Sequence, residues 1–386
     1  MLKKSLLMIP GPTPVPPEVL QALATPMINH RGPEYAALQR EVVENCKYVF
    51  QTQHDVIIFP SAGTGGMEAA IVNVLSPGDQ VLSVSIGVFG DRWAKIARAF
   101  GAEVIECNFE WGRAADPNAV DQALKEHPNV KAVLVTHNET STGVTNDLKS
   151  LAEVVRSHGP LLMVDAISSL MVTDLQMDAW GCDVVVAGSQ KAFMIPPGLS
   201  FVAVGPRAWE AHTSAKMPRF YWDFSSMKRY MERDQTPYTP ALTLLYGLRV
   251  ALRAVKEAGL EASFARHAKL GAATRAGIKA LGLELFADEA YASNSVTAVK
   301  VPEGISVKEL RKRLREKYGV TTGGGQQKLE ETIFRIGHLG YITEPDIVAT
   351  FAALEQVLLE MGWPVKPGSG VAEAARVLSS EEAPVA

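Results

Sequence analysis

Along residues 55–205 the apolar positions come in short blocks: DVIIF (55–59), QVLSVS (80–85), AEVIEC (102–107), KAVLVTH (131–137), LLMVDA (161–166), DVVVAG (183–188) and LSFVAVG (199–205). The stretches between them have helical spacing, as in GGMEAAIVNVL (65–75) and NDLKSLAEVVRSHG (146–159), the latter with Asn146 as a candidate N-cap and Gly159 as its stop. Blocks apolar on both faces, alternating with helices, predict an α/β fold around a seven-stranded, mostly parallel sheet covered on both sides. Ligands of such sheets gather beyond the carboxyl ends of the strands, so chemistry is to be sought just after each block.

Near residue 240 the pattern turns helical, with ALTLLYGLRVALRAVKEAG (241–259) reading as one amphipathic segment. A second unit follows: strand SVTAVKV (295–301), helix SVKELRKRLREKYG (306–319), a Gly-rich turn at 323–325, strand IFRIGH (333–338) and helix PDIVATFAALEQVLLEM (345–361). This predicts a large domain over 20–255 and a small C-terminal α/β domain over 256–365, with residues 1–19 joining the small domain. Residues 366–386 have little apolar periodicity and are expected to be a mobile tail or a weak terminal helix.

Composition narrows the function classes. Apolar residues make up 47% and charged residues 21% of 386, typical of a globular protein, and a net charge of −4 offers no footprint for nucleic acid or anionic membrane. The basic stretch 308–317 has helical spacing and reads as a solvated helix face. Cys46, Cys107 and Cys182 are irregularly spaced, which suits a reducing compartment rather than a disulfide framework or zinc ribbon. Lys3 and Lys4 precede an apolar run that Pro10 ends early, and no apolar run approaches the ~18 residues of a membrane span. A cytoplasmic small-molecule enzyme is the expectation. The eight histidines show no metal-ligand spacing, so no metal site is expected.

Three segments carry candidate chemistry. SAGTGGMEAA (61–70) is a Gly-rich turn opening a helix, where unpaired backbone N–H groups attract phosphate, although a plain tight turn explains it equally well. Asp165 ends the block LLMV, where a carboxylate is costly unless a positive group meets it; an N-cap or turn role competes. Lys191 in GSQKAFMIPPG (188–198) stands among apolar and proline-fixed residues, and desolvation there would free its amine for covalent chemistry. Arg335 alternates with Phe334 and Ile336; facing a cleft, it would hold a carboxylate.

Taken together these segments resemble the class V aminotransferases of fold type I, in the branch of alanine:glyoxylate and serine:glyoxylate (or pyruvate) aminotransferases. The resemblance runs in order through IPGPTPVPPEV (9–19), HRGPEY (30–35), SAGTGGMEAA, GVFGDRW (87–93), HNETSTGV (137–144), VDAISSL (164–170), GSQKAFMIPPG, LLYGLR (244–249) and FRIGHLGY (334–341). It implies pyridoxal 5'-phosphate as cofactor and a homodimer with shared active sites. Lys191 would carry the cofactor aldehyde and shuttle protons, and Asp165 would pair with the ring nitrogen. Phe89 would stack on the ring where many relatives have tryptophan. Ala62, Gly63, Thr64 and Gln190 would hold the phosphate, and Thr140 would bond near the ring hydroxyl or Asp165.

Thr239, in QTPYTPAL (235–242), would reach the neighbouring subunit's phosphate. A tyrosine found nearby in some relatives is absent at Thr236, and Tyr238 is the nearest substitute. Arg335 would fix the substrate α-carboxylate, Gly11 would line the substrate entrance, and Arg31 is expected in a structural ion pair. The implied reaction is transamination of alanine or serine with glyoxylate or pyruvate. Aspartate or aminoethylphosphonate transamination, a class V lyase, or a non-catalytic subunit retaining the fold are the alternatives. A cysteine desulfurase would need a cysteine within 321–331, and TTGGGQQKLEE has none.

Overall fold

The computed structural model describes residues 5–380. Lys3, Lys4 and the tail residues 381–386 lie outside the described residues. In chain order the strands are β1 (Leu6–Met8), β2 (Asp55–Phe59), β3 (Gln80–Ser85), β4 (Glu103–Asn108), β5 (Ala132–Thr136), β6 (Asn138–Glu139), β7 (Val144–Thr145), β8 (Leu161–Asp165), β9 (Val184–Gly188), β10 (Ser200–Val204), β11 (Val296–Lys300), β12 (Val320–Gly324) and β13 (Ile333–Gly337). Each of the seven apolar blocks is a strand of one sheet, ordered β2-β10-β9-β8-β5-β3-β4. The pairs β3–β4, β3–β5, β5–β8 and β8–β9 are parallel, whereas β10 runs antiparallel to both β2 and β9.

The inner blocks lack polar alternation because both sheet faces are buried there, whereas the edge strand β4 mixes exposed and half-buried positions. Val133, Val135, Leu162, Val164, Val185 and Ala187 pack into one core beneath the helices Pro33–Phe50 and Leu242–Ala258. Their neighbours Ala132, Leu134, Met163, Val184 and Val186 pack into a second core beneath the helices Gly63–Val74 and Val88–Ala99. Successive strand side chains point to opposite faces, so each face receives a full apolar set. Six strands run the same way, so the strand ends Phe59, Ser85, Asn108, Thr136, Asp165 and Gly188 lie along one edge.

A four-stranded sheet, β1-β12-β13-β11, forms a third core with the helices Val307–Tyr318 and Glu344–Glu360. The expected Gly-rich turn at 323–325 is partly strand. Gly323 and Gly324 pair with Arg335 and Phe334, and a Cβ on Gly324 would stand 2.6 Å from Arg311 Nη1. β1 pairs in parallel with β12, bringing the N-terminal segment into this sheet.

In the C-terminal tail, Ser369–Ser379 is a helix packed on the helices Leu260–Ala280 and Glu344–Glu360, with Gly370, Ala374 and Leu378 buried at four-residue spacing. The Glu355 carboxylate accepts from Gly368, Gly370 and Val371 N–H at 2.7, 2.8 and 3.1 Å, and so caps the start of this helix from a neighbouring element. Among the described residues no helix is long and apolar enough to cross a membrane.

Candidate active site

The helix Gly63–Val74 starts without a side-chain cap because its N-cap is Ala62. Gly65 and Gly66 N–H return to the Ala62 carbonyl at 2.8 and 3.4 Å, while Gly63 and Thr64 N–H have no acceptor among the described residues. Those two donors, with the helix dipole behind them, form an anion cradle. A Cβ at Gly63 would stand 2.5 Å from Ile167 Cδ1, so a larger residue there would have to push that side chain aside.

The cradle opens into a cavity of about 220 Å³ at the carboxyl edge of the sheet. Ala62, Gly63, Thr64, Phe89, Thr140, Asp165, Gln190 and Lys191 all line it, residues that the sequence scatters over 130 positions. Asp165 is buried; its Oδ1 accepts from Ile167 N–H at 2.9 Å, and no partner for Oδ2 is present among the described residues. Burial above all, and the nearby Glu139 charge, push its carboxyl up to about 7 against the opposing pull of the Ile167 N–H, Lys191 and Arg92. Burial likewise lowers the Lys191 amine to about 8, helped by the positive Arg335 and Arg92 and opposed by Asp165.

The N-terminal segment lies directly over Lys191. Its ammonium donates to the Pro10 carbonyl, and its own carbonyl accepts from Thr13 Oγ1 at 3.0 Å. Gly11 has φ +119°, and a Cβ there would meet Lys191 Cδ and Nζ at 2.8 Å, so the close approach demands glycine.

Arg335 is buried beside the cavity. Its Nε donates to Gly324 O at 2.7 Å, and its Nη1 to Thr140 O at 2.8 Å and to Gln326 Oε1 at 3.2 Å. Nη2 has no partner among the described residues. Burial brings the guanidinium down to about 10, opposed by Glu139. The fold spends Nε and part of Nη1 on carbonyls that fix the direction of this arginine.

Thr239 is not in this cavity. It lines a separate one with Pro60, Tyr221 and Tyr238. Tyr238 stacks on Tyr221 at 5.2 Å, and Thr236 Oγ1 donates to Tyr238 O at 2.7 Å, so neither candidate for the family tyrosine reaches Lys191 within one chain. Among the described residues Arg31 makes no ion pair. It donates to the Thr236 carbonyl, to Pro237 O at 3.3 Å and to Gln235 Oε1 at 3.4 Å, because the 235–237 turn presents carbonyls rather than carboxylates.

Four further residues complete the site. Arg92, Asn138 and Ser168 line the cavity, and Asn138 Nδ2 donates to Ser168 Oγ at 2.8 Å. Glu139 is buried behind it: Oε2 accepts from Phe89 and Gly90 N–H at 2.9 and 3.2 Å, and Oε1 from Ser141 N–H and Oγ at 3.0 and 2.5 Å. It thereby caps the helix that carries Phe89. Arg92 was findable, since it follows Phe89 by one helical turn and must share its face; the distant pairing of Glu139 with residues 89–90 left no local signal.

These groups suit pyridoxal 5'-phosphate. The Gly63 and Thr64 N–H donors, unpaired among the described residues, suit a phosphate, the Gln190 amide lines the same space, and an amine and a carboxylate face it. The fold is that of the fold type I enzymes. The family model "Aminotransferase class-V" matches residues 6–341, and the chain belongs to the class V aminotransferases, a pyridoxal-phosphate-dependent family.

Among its relatives is the soluble hydrogenase 42 kDa subunit of Anabaena cylindrica, 45% identical over 98% of this chain and 99% of the relative. L-aspartate–glyoxylate aminotransferase of Paracoccus denitrificans is 39% identical over 97% and 96%. The crystal structure of pyridoxamine–pyruvate aminotransferase from Mesorhizobium loti superposes with a TM-score of 0.95 at 30% identity, covering 99% of this chain and 98% of that one.

Proposed function

We propose that this enzyme transfers the amino group of a small neutral amino acid, alanine or serine, to glyoxylate or pyruvate. The observation that carries the reading is the meeting of Lys191, Asp165 and the uncapped Gly63–Thr64 donors in one cavity. The cofactor, when bound, supplies an electron sink for cleavage of the donor's Cα–H bond.

The chain's residues do the rest. Lys191 holds the cofactor covalently, then acts as the base that removes the Cα proton and returns it to the other side of the transfer; an amine lowered to about 8 is partly free near neutral pH. Asp165 keeps the ring nitrogen protonated. Thr140 bonds beside it, Phe89 supports one ring face, and Ala62, Gly63, Thr64 and Gln190 hold the phosphate. Arg335 binds the α-carboxylate through Nη2 and Nη1, with Gln326 giving way, and Gly11 keeps the entrance open above Lys191.

Thr239, outside its own chain's cavity, serves the partner subunit's phosphate, which makes the working unit a homodimer. A cytoplasmic setting suits such an enzyme and its three unpaired cysteines.

Donor choice follows from the cations. Arg335 is committed to the α-carboxylate and Arg31 to the 235–237 carbonyls, so a dicarboxylic donor would bury a second charge without a dedicated partner. Screening donors against both acceptors tests this: alanine or serine with glyoxylate or pyruvate is expected to exceed aspartate or glutamate with 2-oxoglutarate in kcat/KM. The Paracoccus relative's name makes aspartate with glyoxylate the second reading. Preference for that pair would overturn the charge argument while leaving transamination intact. The name of the Anabaena relative would gain weight only if no donor and acceptor pair reacts.

A further inference from the structure

The phosphate end of the cavity has a charge problem. A phosphate monoester carries about −1.5 to −2 near neutral pH. Gly63 and Thr64 N–H, the Thr64 hydroxyl and the Gln190 amide are all neutral donors. Among the described residues lining the cavity the only cations are Lys191 and Arg92, and Lys191 is occupied at the aldehyde end.

Arg92 is already placed for the task. Its Nη1 donates to Thr64 Oγ1 at 3.3 Å, and its Cζ lies 4.7 Å from the centre of the Phe89 ring, one helical turn back. It has no carboxylate partner among the described residues, so its charge is not consumed by the fold. The neighbouring Asp91 is engaged elsewhere, its Oδ1 accepting from Ser85 Oγ at 2.6 Å.

We propose that Arg92 is a cofactor-binding residue, supplying the positive charge that neutralises the phosphate while its guanidinium braces the outer face of Phe89. This rests on the pyridoxal-phosphate reading of the site. Thr64 then has a double duty, its N–H in the cradle and its hydroxyl orienting the guanidinium. Charge-assisted hydrogen bonds exceed neutral ones in strength, and a partly desolvated cavity raises their worth further.

The test separates phosphate recognition from ring packing. Full-length protein freed of cofactor is titrated with pyridoxal 5'-phosphate and with pyridoxal, which lacks the phosphate, and binding is followed by tryptophan fluorescence. Arg92→Gln should weaken the phosphate form by about thirtyfold and leave pyridoxal within about twofold. Arg92→Lys should recover part of the loss, because the charge remains while the fork is gone. Inorganic phosphate should compete with the cofactor in the wild type and markedly less in Arg92→Gln.

Equal weakening of both ligands would show that Arg92 only packs on Phe89, and no change in either would remove it from the site; both outcomes overturn the proposal. Circular dichroism of each variant verifies the fold. If wild-type protein binds neither ligand, the pyridoxal-phosphate reading itself fails, a result distinct from any Arg92 outcome.

Discussion

Burial moves Lys191 and Asp165 in opposite directions, the amine down to about 8 and the carboxyl up to about 7, so both titrate close to working pH. The signs have consequences for the cofactor-free protein. Between the ordinary value of 3.8 and about 7 the folded state holds a proton on Asp165 that the unfolded chain has lost, so stability from this group is full below 3.8 and is lost as pH rises through about 7. For Lys191 the folded state binds fewer protons between about 8 and 10.5, so stability rises with pH across that window. Urea unfolding as a function of pH should therefore show Asp165→Asn flattening the acidic limb; an unchanged slope would mean that the carboxyl is not desolvated. In catalysis, Lys191→Ala should fold normally yet lose at least about a thousandfold in turnover, since both covalent attachment and proton transfer depend on the amine. Asp165→Asn should slow Cα proton abstraction in single turnovers, and a loss confined to cofactor affinity would contradict its role at the ring nitrogen.

Two elements owe their position to a buried glutamate from elsewhere in the chain. Glu139 caps the helix Val88–Ala99 and holds the Thr140–Ser141 turn whose carbonyl directs Arg335, tying cofactor face to substrate carboxylate. Glu139→Ala would orphan three backbone donors and is expected to cost about 2–4 kcal/mol in urea unfolding, with a higher donor KM. Glu355 does the same for the terminal helix Ser369–Ser379. Its Leu378 is 5% exposed, so Leu378→Ala should cost about 2–4 kcal/mol. A loss below about 0.5 kcal/mol, the range of ordinary surface changes, would mark that helix as an ornament. Composition left a mobile tail or a weak helix open there because Ala and Gly dominate its buried face, and small residues carry a weak apolar signal although they allow close packing against Leu281 and Phe351.

The architecture of the whole molecule was largely legible because the inner strands of the large sheet are buried on both faces and stand out as apolar blocks, while the edge strand β4, with Glu103, Glu106 and Asn108 in it, still shows a β-rich run. The fate of β1 was not legible. Leu6–Met8 finds its partner in residues 320–322, and no local pattern encodes a pairing across that distance. The same holds for β10, whose reversed direction depends on its neighbours rather than on its composition. Eight of the site residues singled out from sequence converge in one cavity, because each follows a strand or opens a helix at the same sheet edge. Gly11 and Arg335 stand beside that cavity rather than in its lining, and Thr239 lines a second one, so its proposed role at a phosphate requires a second chain. Sedimentation of the loaded protein should show a dimer without monomer at micromolar concentration, and a fully active monomer would leave Thr239 as an ordinary turn residue. The measurement that bears most directly on the account is borohydride reduction of the cofactor-loaded full-length protein followed by peptide mass mapping. The pyridoxyl group should be found on Lys191, in the peptide containing GSQKAFMIPPG, and its appearance on any other lysine, or on none, would contradict the assignment of the site.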